Sequence, residues 1–347
     1  MAQTTTPVKP LTTEQLVTDV LATIERERER EIIARRFGLF DRKETLEQIG
    51  EMLGITRERV RQLEKSVITR LRATAEQGGV PHVADFQERL LEILHGDGEV
   101  ARVSELAVKL TDTPNREEQA RVAFLSQLCP KLVVVQEDDN FYYSVGVKAV
   151  RDEKALKAQV AKLIETIKQL GEPKTIEEVA KAVGLSDTKQ AAALASTSKL
   201  LATLNGRWGL IKWPMVNPKN IRDKIYVILK ENGKHMHFNE IASAIKGSDF
   251  KRKDVTTQAI HNELIKDKRF VLIGRGIYAL KEWGYEKGTV SDIISEVLRK
   301  AGEPLHRDEI VKRVLKSRFV KETTILLNLQ GKPQFKRVAK ATYTLAE

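Results

Sequence analysis

From Thr12 onward, apolar residues recur at helical spacing. Thr12-Thr13-Glu14-Gln15 is a capping-box pattern, Thr12 with Gln15, and Leu16, Val20, Leu21 and Ile24 fall on one stripe behind it. Glu25 to Glu31 then alternates acid and base at every step, a pattern that on its own marks a solvated helix, before Ile32, Ile33 and Phe37 resume the apolar spacing. Thr45-Leu46-Glu47-Gln48 is a second capping box. It opens a short helix through Met52 whose Leu46, Ile49 and Leu53 point one way, and Gly54 stops it. Beyond Thr56, an N-cap residue type, Val60, Leu63, Val67 and Leu71 form the apolar stripe of another helix. A short helix, a glycine turn and a second helix predict a helix-turn-helix.

The rest of the chain repeats one order in four blocks of about 60–70 residues: helix, short helix, helix, then two strand-like runs around a tight turn. The first block has Phe86 to Leu94, Val103 to Leu110 and Arg116 to Leu128, then Leu132 to Gln136 and Phe141 to Val145. The second starts near Lys154, caps its short helix with Thr175 and Glu178, and closes with Leu200 to Leu204, the hairpin turn Asn205-Gly206, and Arg207 to Trp213. The third runs from Ile221 through Phe238 to Ile245 and Val255 to Ile265, then Phe270 to Ile273, Gly274-Arg275-Gly276 and Ile277 to Leu280. The fourth has Val290 to Leu298, Asp308 to Leu315 and Glu322 to Leu329, then Phe335 to Val338 and Thr342 to Leu345. Three helices and a β-hairpin are the order of a winged helix, whose third helix and hairpin can address DNA. The expected fold is mainly α with small β-hairpins: a helix-turn-helix head followed by tandem winged-helix domains. The expected segments are a flexible leader over 1–12, the head over 13–76, and winged helices over 83–150, 153–214, 217–285 and 287–347.

Composition narrows the chemistry. Fifty-nine Lys and Arg against 48 Asp and Glu leave a net charge of +11 on 347 residues, which attracts polyanions and makes nucleic acid the leading partner class. One cysteine, Cys129, makes neither an internal disulfide nor a thiolate metal cage. No apolar run approaches the roughly 20 residues of a membrane span, and the polar start is unlike a signal peptide, so a cytoplasmic, nucleoid-associated protein is expected. The sequence holds no GxxxxGK[ST] loop, HExxH pair, GxSxG elbow or complete GxGxxG turn. His235 and His237 stand close without a third ligand nearby, and are expected to be ordinary residues. No enzyme activity, metal, cofactor or small-molecule substrate is expected.

The candidate chemistry lies on the helix after Thr56. At 3.6 residues per turn, Arg57, Glu58, Arg61, Gln62 and Lys65 project together away from the apolar stripe, with Arg59 flanking them. Arg can donate two bonds to a guanine edge, Gln can pair with adenine, Glu can accept from the cytosine amino group, and Lys or a spare Arg can hold phosphates.

These residues carry a resemblance. Arg26-Glu27-Arg28-Glu29-Arg30-Glu31-Ile32-Ile33-Ala34-Arg35-Arg36-Phe37-Gly38-Leu39, then Thr45-Leu46-Glu47-Gln48-Ile49-Gly50, then Thr56-Arg57-Glu58-Arg59-Val60-Arg61-Gln62-Leu63-Glu64-Lys65 resembles region 4 of primary bacterial sigma factors over about residues 15–75. The resemblance implies that the second helix enters the major groove of a promoter −35 element while the same region docks on the β flap of RNA polymerase core. Carried across by position, Arg57, Glu58 and Gln62 are expected to read bases, and Thr56, Arg59, Arg61 and Lys65 to hold the backbone. Nothing in the chain resembles sigma region 2, whose aromatic-rich helix melts the −10 element, and aromatics are 5% of the residues, so melting by this chain alone is not expected.

In the third block, Phe238-Asn239-Glu240-Ile241-Ala242, Thr257-Gln258-Ala259-Ile260-His261-Asn262-Glu263-Leu264, Arg269-Phe270-Val271 and Gly274 to Gly284 resemble the HARE-type helix-turn-helix, a family that includes the amino-terminal domain of the RNA polymerase δ subunit. Read as residues, Phe238, Ile241, Ile260, Leu264, Tyr278 and Trp283 are core, and Lys251, Arg252, Lys253, His261 and Arg275 are placed to touch a partner. The first wing tip, Glu137-Asp138-Asp139-Asn140, is acidic and repelled by phosphate, so its block reads as an adaptor. Arg207, Lys251, Arg252, Lys253, Arg275, Lys336 and Arg337, with Lys340 behind them, are the candidate wing or helix contacts to DNA. The expected function is a sigma-like, sequence-specific initiation factor or regulator that binds promoter duplex and polymerase. The alternative is a non-catalytic polymerase-binding adaptor, δ-like or anti-sigma-like, with little sequence-specific DNA binding.

Overall fold

A computed structural model describes residues 12–112, 114–285 and 287–346. The expected leader lies outside them, apart from Thr12. The chain forms two compact units, one ending at Ile211 and the other beginning at Lys212.

The first unit opens with α1 (Thr13–Ala22), α2 (Glu27–Phe37), α3 (Leu46–Leu53) and α4 (Arg57–Glu76). Local chemistry sets each boundary. Thr12 Oγ1 accepts from Gln15 N at 3.3 Å, and the Thr45–Gln48 capping box is formed in both directions. Gly38 ends α2 in the left-handed region, where a Cβ would lie 2.8 Å from Lys43 N. Gly54 ends α3 the same way, and Thr56 caps α4. Ile32, Ile49 and Val60 are buried between α2, α3 and α4, with Leu46, Leu53, Ile55 and Leu63 packed around them. Beyond them α4 enters a larger core, where its Val67 and Leu71 join Val17 and Val20 of α1, Ile24 just after that helix, and the apolar residues of the first block.

That block is α5 (Val83–Asp97), β1 (Val100–Arg102), α6 (Val103–Leu110), α7 (Arg116–Leu128), β2 (Leu132–Val135) and β3 (Ser144–Val147). The second is α8 (Glu153–Leu170), β4 (Lys174–Thr175), α9 (Ile176–Val183), α10 (Thr188–Thr197), β5 (Leu201–Leu204) and β6 (Arg207–Leu210). The other unit holds α11 (Ile221–Asn232), β7 (Met236–His237), α12 (Phe238–Gly247), α13 (Thr257–Lys266), β8 (Phe270–Gly274) and β9 (Ile277–Leu280). It continues with α14 (Val290–Ala301), β10 (Leu305–His306), α15 (Arg307–Ser317), α16 (Glu322–Gly331), β11 (Phe335–Ala339) and β12 (Thr342–Leu345). The described residues are thus mainly helical, with four small antiparallel sheets among them.

Each sheet has three strands, and the last strand lies in the middle: β1-β3-β2, β4-β6-β5, β7-β9-β8 and β10-β12-β11. Sequence periodicity indicates only the hairpin pair, because the leading strands are two or three residues long and too short to show alternation. Asn205 and Gly206 turn the second hairpin with φ of 50° and 73°, as an Asn-Gly turn requires.

Three local expectations are corrected. The charge-alternating run does not leave every side chain in water: Glu29 is buried, its carboxylate taking Arg70 Nη2 at 2.6 Å and Arg26 Nη1 at 3.4 Å. The strand expected at Phe141 begins at Ser144, because Asp138 Oδ1 accepts from Asn140 N and Phe141 N while Thr197 O accepts from Tyr142 N. The strand expected through Trp213 ends at Leu210, where its pairing with β5 stops.

The head is clamped to the first block by Arg121 of α7, a buried cation. Its Nε donates to Leu39 O at 2.9 Å, its Nη1 meets Glu118 Oε1 at 2.6 Å, and its Nη2 reaches Glu14 Oε2 at 3.2 Å. Thr13 Oγ1 donates to the other oxygen of Glu118. The two blocks meet at Gly98, whose φ is +96° and where a Cβ would lie 2.7 Å from Lys189 O. Gly98→Ala is therefore expected to cost about 1–3 kcal/mol through backbone strain and the clash with α10. Thermal unfolding reads this as a lowered midpoint, and an unchanged midpoint would contradict the close approach.

Candidate nucleic-acid interface

The α3–turn–α4 arrangement puts the expected reading residues at the start of a helix whose opposite side is buried. Arg57, Glu58, Arg59, Arg61, Gln62 and Lys65 are all exposed, while Val60 and Val67 between and beyond them are buried. Gly50 lets the two helices meet, since a Cβ there would lie 2.7 Å from Ile55 O. Arg28 Nη2 donates to Leu53 O at 2.5 Å and closes the end of α3 from the α2 side. Arg36 meets Glu64 at 3.2 Å and Arg35 meets Glu44 at 2.9 Å, so α2 is tied to α4 and to the entry of α3.

The exposed face is a mesh of side chains that hold one another. Arg61 makes a two-pronged contact to Glu58, Nε to Oε2 at 2.8 Å and Nη2 to Oε1 at 2.7 Å. Gln62 Nε2 also donates to Glu58 at 3.3 Å, and Arg59 Nη1 donates to Gln62 Oε1 at 3.4 Å. Arg57 reaches back to Glu47 of α3 at 2.7 Å, a partner that the spacing within one helix could not reveal. The hydrogen bonds from Arg61 hold the Glu58 carboxyl down at about 2, and Glu58 in turn raises Arg61. Thr56 Oγ1 accepts from Arg59 N at 3.2 Å, so its hydroxyl serves as the cap.

The other candidate cations lie on separate elements. Arg207 begins β6, Lys251, Arg252 and Lys253 form the α12–α13 loop, Arg275 tips the β8–β9 hairpin, and Lys336 and Arg337 lie on β11; all are exposed. His261 is not openly placed for a partner. It is half-buried, its ring 5.0 Å from Phe238 and 6.1 Å from Tyr278. Ile241, Ile260, Leu264 and Tyr278 are buried as expected, whereas Phe238 is only half-buried. Trp283 packs on Val271, Ile273 and Ala279. His237 caps α12 by accepting from Asn239 N, and His235 lies against Phe319 at 4.3 Å.

The acidic tip of the first hairpin is spoken for within its own unit. Lys199 Nζ meets Glu137 Oε1 at 2.7 Å and Asp138 O at 2.8 Å. Backbone donation from Asn140 and Phe141 lowers the Asp138 carboxyl. Arg102 donates to Ser196 O and lies 4.1 Å over the Tyr142 ring. Beyond Lys189 no residue of α10 is exposed, and beyond Glu117 none of α7 is. The run Ala191-Ala192-Ala193-Leu194-Ala195 is the sequence signal for a helix covered all round. Among the described residues, no helix is long and apolar enough to cross a membrane, and no group of three or more His, Cys, Asp or Glu could hold a metal ion.

Residues 26–73 match the family described as Sigma-70, region 4. A stretch of 49 residues is 55% identical to the RNA polymerase sigma factor RpoD of Helicobacter pylori, covering 14% of this chain and 7% of that protein. Another, of 46 residues, is 52% identical to the RNA polymerase sigma factor sigB of Arabidopsis thaliana, 13% of this chain and 8% of that protein. With the RNA polymerase sigma factor SigA of a Bacillus species, identity is 49% over 55 residues, 16% of this chain and 14% of that protein. The chain thus spans between 7% and 14% of the length of these relatives. The family match takes in α3, all of α2 and most of α4, and with them the exposed mesh.

Proposed function

We propose that the chain is a non-catalytic, sigma-like transcription-initiation protein that inserts the start of α4 into the major groove of a −35-type promoter element and docks on RNA polymerase core, the β flap being the expected surface. One observation carries this reading: the exposed Arg57–Lys65 face of α4 lies within the residues that match Sigma-70 region 4. In this reading the four sheet-bearing blocks, 83–150, 153–214, 217–285 and 287–347, are tandem winged helices, the third of HARE type. Arg207, Lys251, Arg252, Lys253, Arg275, Lys336 and Arg337 supply phosphate contacts. The protein works in the cytoplasm at the nucleoid.

The mechanism is an exchange of partners. On the duplex, Arg57 leaves Glu47 for a guanine edge, Gln62 turns to adenine, and Glu58 accepts from a cytosine amino group. Arg61, released from Glu58, joins Thr56, Arg59 and Lys65 on phosphates. The exchange is cheap, because exposed ion pairs are worth about 0–1 kcal/mol. A good base contact adds about 1–3 kcal/mol of discrimination, so the exchange is favourable on the matching sequence.

A second reading, a polymerase-binding adaptor with little sequence choice, is favoured by the covered helices α7 and α10 and by the anchored acidic tip. The two differ in what DNA sees. Arg57→Ala or Gln62→Ala should relax sequence choice by about 1–3 kcal/mol at one position, while Arg59→Ala weakens binding to every duplex. Anisotropy titrations on selected and scrambled duplexes measure both, and equal losses on the two duplexes for all three variants would favour the adaptor.

Glu58→Ala gives a further outcome. Freed from its carboxylate, Arg61 should tighten binding to scrambled duplex and steepen the salt dependence by about one phosphate contact, while preference for the selected site narrows. Weakening on both duplexes would contradict the exchange. Because Glu58 stays ionised down to about pH 2, the pair itself should leave binding unchanged between about pH 5 and 8.

A further inference from the structure

The seam between the head and the first block holds an open strand edge. In the sheet β1-β3-β2, β2 is an outer strand. Val147 N donates to Glu99 O and Val103 N to Tyr143 O, so the odd-numbered residues along β3 turn their backbone groups toward β1. Leu132 and Val134 lie opposite Val147 and Val145, and therefore turn theirs away from β3. Leu132 uses its groups locally: its N donates to Cys129 O at 3.2 Å and its O accepts from Arg72 Nη2 at 3.3 Å. Val134 and, in the same phase, Gln136 make no backbone hydrogen bond beyond the sheet among the described residues. Their N–H and C=O groups form the kind of row that pairs with another strand.

In the third block the corresponding outer strand, β8, is already covered by an extended stretch of the chain. Phe319 N donates to Ile273 O at 3.1 Å and Arg318 Nη1 to Leu272 O at 2.6 Å. Beyond Leu132, no described residue does this for β2, and the space beside it is open. A hollow of about 710 Å³ is bounded by Val133 and Val134 of β2, Ile68 and Arg72 of α4, and Lys157 of α8. Gln127, Gln136 and Glu137 line both this hollow and a cleft of about 860 Å³ that reaches the α2–α3 loop and the start of α7, so the two form one groove. Every carboxylate lining it has a partner in the chain. Glu64, Glu137 and Glu153 pair with Arg36, Lys199 and Lys157, Glu117 accepts from Asn115, and Asp41, Asp138 and Asp152 accept backbone N–H groups. The charges left over are cations: Arg42, Lys43 and Arg116 in the cleft and Lys148 in the hollow are exposed, with no side-chain partner among the described residues.

We propose that this groove is a docking site for an extended, acidic segment of a partner protein, which adds a strand to β2 and lays its carboxylates on Arg42, Lys43 and Arg116. The strand edge supplies affinity through Val134 and Gln136, and the cations set the direction in which the segment lies. A nucleic acid matches the cations but has no regular row of N–H donors for the carbonyls of Val134 and Gln136, and a helical segment keeps its own backbone groups to itself. Both ends of the groove lie apart from the exposed start of α4, so the inference stands independently of the promoter reading.

The test selects binders of the full chain from a phage-displayed library of short random peptides. Selected peptides should carry Asp or Glu toward one end and β-branched or aromatic residues at alternate positions. N-methylation of one such peptide, residue by residue, should lower affinity about tenfold at alternate positions and less than about threefold between them, because every second N–H faces β2. Val134→Pro removes an N–H that the β2–β3 ladder does not use, and should weaken the same peptide about tenfold. Where that variant unfolds, the N-methylation pattern on the unaltered chain decides. Arg42→Glu with Arg116→Glu should weaken the peptide about tenfold or more and flatten its salt dependence. A library that yields no binder, an N-methylation series without alternation, or a peptide indifferent to the charge reversal overturns the inference. If the charge reversal weakens duplex DNA and leaves the peptide as tightly bound as before, the cations serve nucleic acid and the inference is likewise overturned.

Discussion

The head depends on one helix belonging to two cores. α4 is 20 residues long, and its first turns close a small apolar cluster with α2 and α3 while its later turns lie in the large core of the first block. A short helix-turn-helix alone buries little surface, and isolated units of that size are marginal. By running on into a second core, α4 is held in position by packing far from its exposed start. The polar face can therefore be chosen for chemistry rather than for stability.

Charge completes what the apolar packing begins. Glu29 and Arg121 are buried ions, and each has more than one partner: Glu29 takes Arg26 and Arg70, and Arg121 takes Leu39 O, Glu118 and Glu14. A buried ion left unpaired is costly, so these contacts specify one arrangement of α1, α2, α4 and α7 more than they add stability. On the surface the logic reverses. The Arg61–Glu58 and Arg57–Glu47 pairs are open to water and weak, and weakness is what a reading face needs if the same side chains are to change partners on a duplex.

Helix boundaries are readable in the sequence because caps and glycines mark them locally: Thr45 with Gln48, Gly54, Thr56 and the Asn205-Gly206 turn act as the residue types suggest. The hairpins are readable in outline, and the leading strands are not, because two residues cannot display a period. Residues whose roles come from distant partners stay hidden. The charge pattern around Glu29 looks the same whether its neighbour Arg70 covers it or water does, and Glu47 sits on a different helix from Arg57. The exposed face of α4 is legible because burial of Val60 and Val67 dictates which side looks out. Its internal pairing is not, since it turns on rotamers.

A repeated fold need not mean a repeated job, and the four third helices make the point in residues. α10 is built of Ala191, Ala192, Ala193 and Ala195, side chains too short to reach a base edge and well suited to close packing against Gly98 and β1. α7 uses Arg121 and Glu118 to bind the head, so its buried charge is consumed internally. α16 carries Leu327 outward together with Thr323 and Gln330, and the exposed Lys321 stands just before it. α13 leaves Gln258 and Asn262 exposed where α10 is covered by β1 and Gly98, so on helices of 10 residues each the two differ both in side-chain polarity and in what lies over them. Side-chain length and polarity, together with what covers the helix, thus decide whether the same order of elements fills an internal seam or leaves a polar face in water.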